Sequence, residues 1–212
     1  MATALYIRAT GPLTQSLSTT GYTNYANHFY NKASDAAASM WRCVYWIHGM
    51  NLENMINQSL ENESYRLAGI GYAIKAYGWD QLTKLHGELP MKEAFQPGLL
   101  SHTYDYQDEI YPQVREWALK AIELLEMEDI TDYSMTTLKE SDLFFGGDAD
   151  KWIKFAHGVI AKNLVSLSKK SNFVADYAQD LILHANLSLA SNEDNAQVQK
   201  EGGGSSAQFG AY

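Results

Sequence analysis

The chain has 212 residues, of which 46% are hydrophobic and 19% are charged, and its formal net charge is -9. This length suits one large domain or two small ones, and the acidic balance with scattered lysines and arginines argues against binding to nucleic acid or anionic lipid. A single cysteine, Cys43, excludes an internal disulfide and a cysteine-based zinc site, and no run of about 18 apolar residues indicates a membrane span.

Residues 1–37 form a polar segment with interleaved aromatic residues and no helical period. Gly11 and Pro12 mark a turn, and serine, threonine, asparagine and glycine dominate. Because a fully disordered segment normally carries fewer aromatic residues, we expect an irregular but ordered arm.

Five amphipathic helices are predicted from apolar residues that recur every three or four positions. Their predicted bounds are 38–58, 62–85, 107–126, 148–168 and 172–190. The first two and the last two are typical of antiparallel pairs joined by short turns. Residues 86–106 are predicted to form a long loop, and loops of this length usually have a function or a fixed path across the surface.

The periodicity also predicts which side chains are buried. Trp41, Tyr45 and Trp152 lie on apolar stripes, so we interpret them as core residues. Leu85 belongs to the stripe of the second helix, and the stripe of the fifth helix includes Val174 and Ile182.

Two glycines, Gly71 and Gly78, lie on the stripe of the second helix. Each destabilises a helix by about 1 kcal/mol relative to alanine. We interpret both as positions where a neighbouring helix approaches closely.

The chain contains no glycine-rich phosphate loop, no HExxH motif and no GxSxG motif. Its six histidines lack the spacing of metal ligands. Carboxylate groups near Asp105, Glu126 and Asp148 are close enough in sequence for a glycosidase pair, but each lies at a predicted helix end, where acids serve capping and dipole roles. We therefore predict no catalytic residue, no metal site and no cofactor.

Four sequence blocks stand in an order that resembles the SusD/RagB-like outer-membrane nutrient-binding proteins. They are Trp41-x-x-x-Tyr45 with Asn51, LAGIGYAIKAYGWDQLTKLHGELPMKEAF (67–95), TYDYQDEIYPQVREWALKAIELL (103–125) and GGDADKWIKFAHGVIAKNL (146–164). The last block is similar to a subgroup with Gly-Asp before Lys-Trp. The chain departs from the family pattern at Lys84, His157-Gly158 and Lys162.

The resemblance implies a mainly α fold of tetratricopeptide-like antiparallel helix pairs with long irregular loops. It implies an arm at 1–37, a helical domain at 38–190, and a tail at 191–212 leading to a missing carboxy-terminal part. The full protein would be a non-enzymatic, oligosaccharide-binding lipoprotein on the cell-surface side of the outer membrane, with its signal peptide and lipid anchor outside this chain. Its partner would be a SusC-like TonB-dependent transporter.

The family has no fixed ligand motif, so candidate ligand residues are chosen by their chemistry. The segment 21–32, just before the first helix, offers rings for stacking and polar groups that can pair with hydroxyls. The candidates are Tyr22, Asn24, Tyr25, Asn27, His28 and Tyr30, with Tyr104 and Tyr106 as second choices. In the alternative interpretation, the rings of this segment only hold the arm against the helices.

Three other functions remain as alternatives. A RagB-like component would bind peptides instead of glycans. A soluble tetratricopeptide adaptor would show a repeat of about 34 residues, which the unequal loops of this chain do not favour. A glycoside hydrolase is disfavoured by the positions of the carboxylates.

Overall fold

The computed structural model of the chain describes residues 38–128, 138–139 and 141–196. Its elements are α1 (Ala38–Arg42), a π-helical segment (Cys43–Gly49), α2 (Met50–Glu61), α3 (Tyr65–His86), α4 (Gln107–Glu126), α5 (Ala149–Val165), α6 (Phe173–Asp176), α7 (Ala178–Leu187) and a 3-10 turn (Asn192–Asp194). The arm predicted at 1–37 lies outside the described residues, as does the tail beyond residue 196. α1 belongs to one compact unit of the chain, and the elements from Cys43 onward belong to another, Cys43–Gln197.

The mainly α fold is confirmed. The helix predicted at 38–58 differs from the structure, because the π-helical segment interrupts it. The Phe95 ring occupies the space where a side chain at Gly49 would lie, next to the carbonyl of Val44. The widened turn therefore coincides with a close contact from the long loop, and sequence periodicity does not reveal such a contact.

α3 is the central helix of the unit Cys43–Gln197 and packs against α2, α4 and α5. The Gln107 side chain, at the start of α4, donates to the Thr83 carbonyl near the end of α3 at 2.9 Å. At the opposite end, Gly69 of α3 faces Leu125 of α4. These two contacts show that α3 and α4 run antiparallel.

α5 lies beside α3 and α4 and completes the hydrophobic core. Asn163, near its end, bonds to Asp80 of α3, and Trp152, near its start, packs with Ile70 of α3, so α5 runs parallel to α3. One buried cluster joins the three helices and the turn that precedes α5: Ile70, Ala73, Ala121, Leu125, Phe145, Trp152 and Ala156.

The predicted close approach of a neighbouring helix at Gly71 and Gly78 is correct at the first glycine and wrong at the second. A Cβ at Gly71 would lie 2.6 Å from Cγ1 of Ile56 on α2, so that helix does approach closely. At Gly78 the nearest atom would be 3.5 Å away, which is ordinary van der Waals contact. The tightest contact with α4 is instead at Gly69, which the predicted stripe did not include.

The fifth predicted helix is divided at Tyr177 into α6 and α7. Val174 is 80% exposed and Ile182 is 55% exposed, so their predicted burial is wrong. None of the residues that the structure describes in α7 is buried. Hydrogen bonds of i to i−4 spacing continue on both sides of Tyr177. The less exposed positions include Phe173, Tyr177, Leu181 and His184, so the helix turns a different face to the protein than the predicted stripe. Leu85 is also wrongly predicted, because this last-turn residue of α3 is 68% exposed.

Candidate functional site

The long loop between α3 and α4 follows a fixed path, as its length suggested. Gly87, with a φ of 80°, ends α3 in a conformation that favours glycine. Leu89 and Asp105 then exchange two backbone hydrogen bonds, of 3.2 and 2.8 Å, which bring the ends of the loop together. Leu89 is fully buried, so the base of the loop is part of the core.

The buried carboxylate of Asp105 holds the loop together at its base. It accepts hydrogen bonds from the backbone amides of Met91 and Lys92, each at 2.8 Å, and its second oxygen lies 3.3 Å from the Lys92 ammonium. Burial alone would raise the pKa of Asp105, but these amides and the ammonium outweigh burial and hold the pKa below its ordinary value. Asp105 is thus a charged structural residue at neutral pH.

Aromatic residues anchor the first part of the loop. The Tyr45 hydroxyl donates to the carbonyl of Pro90 at 2.9 Å, and the Tyr45 ring meets Trp79 edge-on at 5.3 Å between centroids. Phe95 lies 6.4 Å from each of these two rings. Burial is the main cause that raises the pKa of Tyr45, so its hydroxyl remains a donor.

Four large hydrophobic side chains of this well-anchored loop are exposed: Leu99, Leu100, Tyr104 and Tyr106. Tyr104 and Tyr106 flank Asp105 in extended backbone, where successive side chains point to opposite sides. Asp105 therefore points inward, while the two tyrosines are 57% and 62% exposed. Their rings offer apolar faces with a polar edge on a backbone that is already fixed.

A buried polar network joins α3, α4 and α5. Asp80, which is 1% exposed, lies 2.6 Å from the Lys84 ammonium and accepts a 3.0 Å hydrogen bond from Asn163. The Asn163 oxygen accepts in turn from the Arg115 guanidinium at 2.7 Å. Sequence reasoning missed this network, although Asp80 and Asn163 are polar residues among apolar neighbours, and that signal could have identified them.

The first-choice ligand candidates, Tyr22, Asn24, Tyr25, Asn27, His28 and Tyr30, lie outside the described residues. Of the residues assigned to the core, Trp152 is buried, Tyr45 is half-buried against the loop, and Trp41 has intermediate exposure. Two of the candidate catalytic acids hold backbone in place: Asp105 as described, and Asp148 by accepting from the Lys151 amide at the start of α5. The described ranges contain no group of three or more potential metal ligands.

The family model described as "Starch-binding associating with outer membrane" matches residues 4–209, which is nearly the whole chain. The chain belongs to the SusD-like family. Among curated proteins, none matches it. Among the described helices, none is long and apolar enough to cross a membrane.

Solved structures share the fold of this SusD-like chain. A SusD/RagB family protein from Bacteroides thetaiotaomicron is 25% identical, with a TM-score of 0.60 over 91% of this chain and 36% of its own. A chitin-binding protein is 22% identical, with a TM-score of 0.72 over 91% of this chain and 42% of its own. A Bacteroidetes SusD-like protein is 21% identical, with a TM-score of 0.70 over 96% of this chain and 39% of its own. The chain thus spans about two fifths of the length of these three structures.

In this SusD-like chain the Gly-Asp and Lys-Trp block builds the start of α5. Gly147, with a φ of 76°, turns the chain into the helix, and Asp148 caps it. The Trp152 indole donates to the Asp142 carboxylate at 2.7 Å, and the same carboxylate accepts from the Gly147 amide at 2.9 Å. Trp152 also meets Phe145 edge-on at 5.0 Å. These contacts make the block a folding element.

Proposed function

We propose that this chain is part of a non-enzymatic oligosaccharide-binding component of nutrient uptake at the outer membrane. The observation that carries the proposal is the match of a starch-binding, outer-membrane-associated family model to residues 4–209. The chitin-binding protein of the same fold also favours glycans over peptides as the class of ligand.

The proposed ligand surface consists of the two exposed tyrosines of the long loop, Tyr104 and Tyr106, and the segment 21–32 is proposed separately as a second ligand-binding region. Tyr104 and Tyr106 support it because they are exposed on an anchored backbone. A surface that is rigid before binding loses little conformational entropy when it takes up a ligand. Sugar rings carry apolar faces that stack on aromatic rings and hydroxyls that pair with amides, which are the groups present in 21–32.

The proposal extends to location and partner. We infer a lipid-anchored protein at the cell surface that delivers its ligand to a SusC-like TonB-dependent transporter. Stacked helix pairs offer extended surfaces to a partner protein, which fits this role. The division into an arm, a helical domain and a tail that continues into a further part is also a proposal, supported by the greater length of the structures that share the fold.

Affinity electrophoresis of the whole chain through gels containing soluble starch or other neutral polysaccharides tests the glycan proposal. We expect retarded migration with at least one polysaccharide and no release of reducing sugar. Replacing Tyr104 and Tyr106 together by alanine should reduce the retardation, whereas replacing both by phenylalanine should preserve most of it, because phenylalanine keeps the stacking face.

The alternatives give different results in the same set of assays. Release of reducing ends that increases with protein concentration would indicate a hydrolase. Binding to a peptide array without retardation by any polysaccharide would indicate a RagB-like component. Equal retardation of the alanine and phenylalanine variants would remove Tyr104 and Tyr106 from the ligand surface.

A further inference from the structure

A small cavity of about 230 Å³ lies between the first turns of α4 and the connection from α5 to α6. Asp108, Tyr111 and Arg115 line it from α4, and Ser166, Lys170 and Tyr177 line it from the opposite side. The lining begins at Gln107, one residue after the exposed Tyr106. The cavity is therefore continuous in sequence with the proposed ligand surface.

The Arg115 side chain at the centre of the cavity is held in place before any ligand binds. The Arg115 guanidinium donates to the buried Asn163 oxygen at 2.7 Å and lies 5.6 Å from the centroid of the Tyr177 ring. Burial is the main cause that raises the pKa of Tyr111, so its hydroxyl stays protonated and can donate. The cavity thus offers one guanidinium that is fixed by a hydrogen bond, a phenol hydroxyl and two aromatic rings.

Backbone chemistry adds an acceptor at the same place. Pro112 lies inside α4 and lines the cavity. Because proline has no N–H, it cannot donate to the carbonyl of Asp108, four residues earlier. That carbonyl therefore lacks its regular helical donor.

The lining of the cavity carries charges of both signs, with two cations, Arg115 and Lys170, and one anion, Asp108. Lys170 and Asp108 contribute opposite charges to its lining, and Asp180 acts electrostatically on Arg115. Within the described ranges, neither Lys170 nor Asp108 forms an ion pair. A cavity with both charge signs, neutral donors and acceptors, and ring faces matches a neutral polyhydroxyl compound better than an anion.

We propose that this cavity binds one pyranose ring of a neutral saccharide, as a subsite beside Tyr106. The inference rests on the proposed glycan-binding function and adds a location and a ligand class to it. The volume of about 230 Å³ is below the roughly 300 Å³ at which sites for drug-sized ligands begin, so the cavity suits a single sugar ring. The apolar faces of that ring would lie against Tyr111 or Tyr177, and its hydroxyls would reach Arg115 and the Asp108 carbonyl.

Amide chemical shifts of the isotope-labelled whole chain test the subsite. The probes are the methyl pyranosides of glucose, galactose, mannose and N-acetylglucosamine, with glucuronate as an anionic control. We expect at least one neutral pyranoside to shift the amides of Tyr111, Ser166 and Lys170, and glucuronate to bind no better. Ser166→Trp fills the cavity and should abolish these shifts. Ser168→Trp is the matched control, since Ser168 is exposed two residues away and does not line the cavity.

The outcomes separate this inference from the function on which it rests. Retardation by a polysaccharide, with no pyranoside shifting the cavity amides, overturns the subsite and leaves the proposed function standing. Shifts that persist in Ser166→Trp, or that disappear equally in Ser168→Trp, also overturn the subsite. Absence of binding to every pyranoside and every polysaccharide overturns both.

Discussion

Replacing Gly69 and Gly78 separately by alanine should change stability in opposite directions, although both glycines lie in α3. Alanine is favoured over glycine inside a helix by about 1 kcal/mol. At Gly78 the new methyl group would have ordinary contacts, the nearest at 3.5 Å, so most of this gain should appear. We expect the free energy of unfolding of Gly78→Ala to rise by roughly 0.5–1 kcal/mol.

At Gly69 the methyl group would lie 2.7 Å from Cγ of Leu125 and 3.0 Å from the Ala121 carbonyl oxygen. The second atom belongs to the backbone of α4, so relief requires the whole helix to move. Overpacking of this kind costs about 1–3 kcal/mol, and we place it in the upper half of that range because backbone is involved. After the helix-propensity gain is subtracted, Gly69→Ala should lose about 1–2 kcal/mol.

Urea unfolding followed by tryptophan fluorescence measures both changes, and the slope with denaturant shows whether the unfolded state has changed. The two variants should differ by about 1.5–3 kcal/mol, which corresponds to a gap of roughly 3–12 °C in melting temperature for a domain of this size. If Gly69→Ala is as stable as Gly78→Ala, the close packing of α3 on α4 is not as described and the reasoning fails.

Three further predictions concern polar groups. Asp105→Ala should destabilise the loop by about 1–3 kcal/mol, because the backbone amides of Met91 and Lys92 lose their acceptor. Hydrogen exchange at those two amides should become faster, and unchanged exchange would contradict the role of this carboxylate. Asn163→Leu should lower the free energy of unfolding by about 2–4 kcal/mol, because Asp80 and Arg115 each lose a buried partner. Chemical denaturation measures this change, and a smaller loss would mean that the network contributes little to stability. His157 and His184 share a hydrogen bond between Nδ1 atoms 2.7 Å apart, and burial is the main cause that lowers the pKa of both histidines. Below about pH 6.5 the unfolded chain therefore binds more protons than the folded chain, so the free energy of unfolding should be highest above that pH and fall as the pH drops through the folded pKa values. A double variant, His157→Gln with His184→Gln, that keeps the same pH profile of stability would refute this.

Sequence periodicity predicted the central helices well because their apolar stripes face several neighbours at once. The helix predicted at 107–126 is α4 with the same bounds, and the helices predicted at 62–85 and 148–168 differ from α3 and α5 by a few residues. Such differences are normal at helix ends, where caps and frayed turns decide the boundary. The antiparallel pairing of the first two predicted helices is confirmed by the contact between Gly71 of α3 and Ile56 of α2.

Features that depend on contacts between distant residues could not be predicted in this way. The π-helical segment reflects the Phe95 ring against Gly49, across a sequence separation that a local pattern does not cover. Val174 and Ile182 are exposed because the helix turns the face with Phe173, Tyr177 and Leu181 to the protein, and the local apolar pattern did not distinguish that face from the predicted one.

At the candidate site, too, residues that a local sequence pattern indicates could be predicted, whereas roles that depend on distant contacts could not. Tyr104 and Tyr106 were recognisable as candidates because aromatic residues beside a long loop are a local signal. The carboxylate between them looked like a possible catalytic or capping acid. Only the hydrogen bonds from the Met91 and Lys92 amides show that this carboxylate serves the backbone of its own loop.

The anchors of the loop and its exposed residues are physically separate, which bears on how such a surface can change its ligand. The anchors lie on the inner side of the loop: Leu89 is buried, the Tyr45 hydroxyl donates to the Pro90 carbonyl, and the Asp105 carboxylate accepts from the Met91 amide. Tyr104 and Tyr106 lie on the outer side because extended backbone alternates its side chains. Substitutions at the two tyrosines therefore alter the chemistry offered to a ligand without removing any hydrogen bond that fixes the loop. If the proposed ligand surface is correct, a loop built in this way keeps the entropy advantage of a rigid surface when its exposed side chains change.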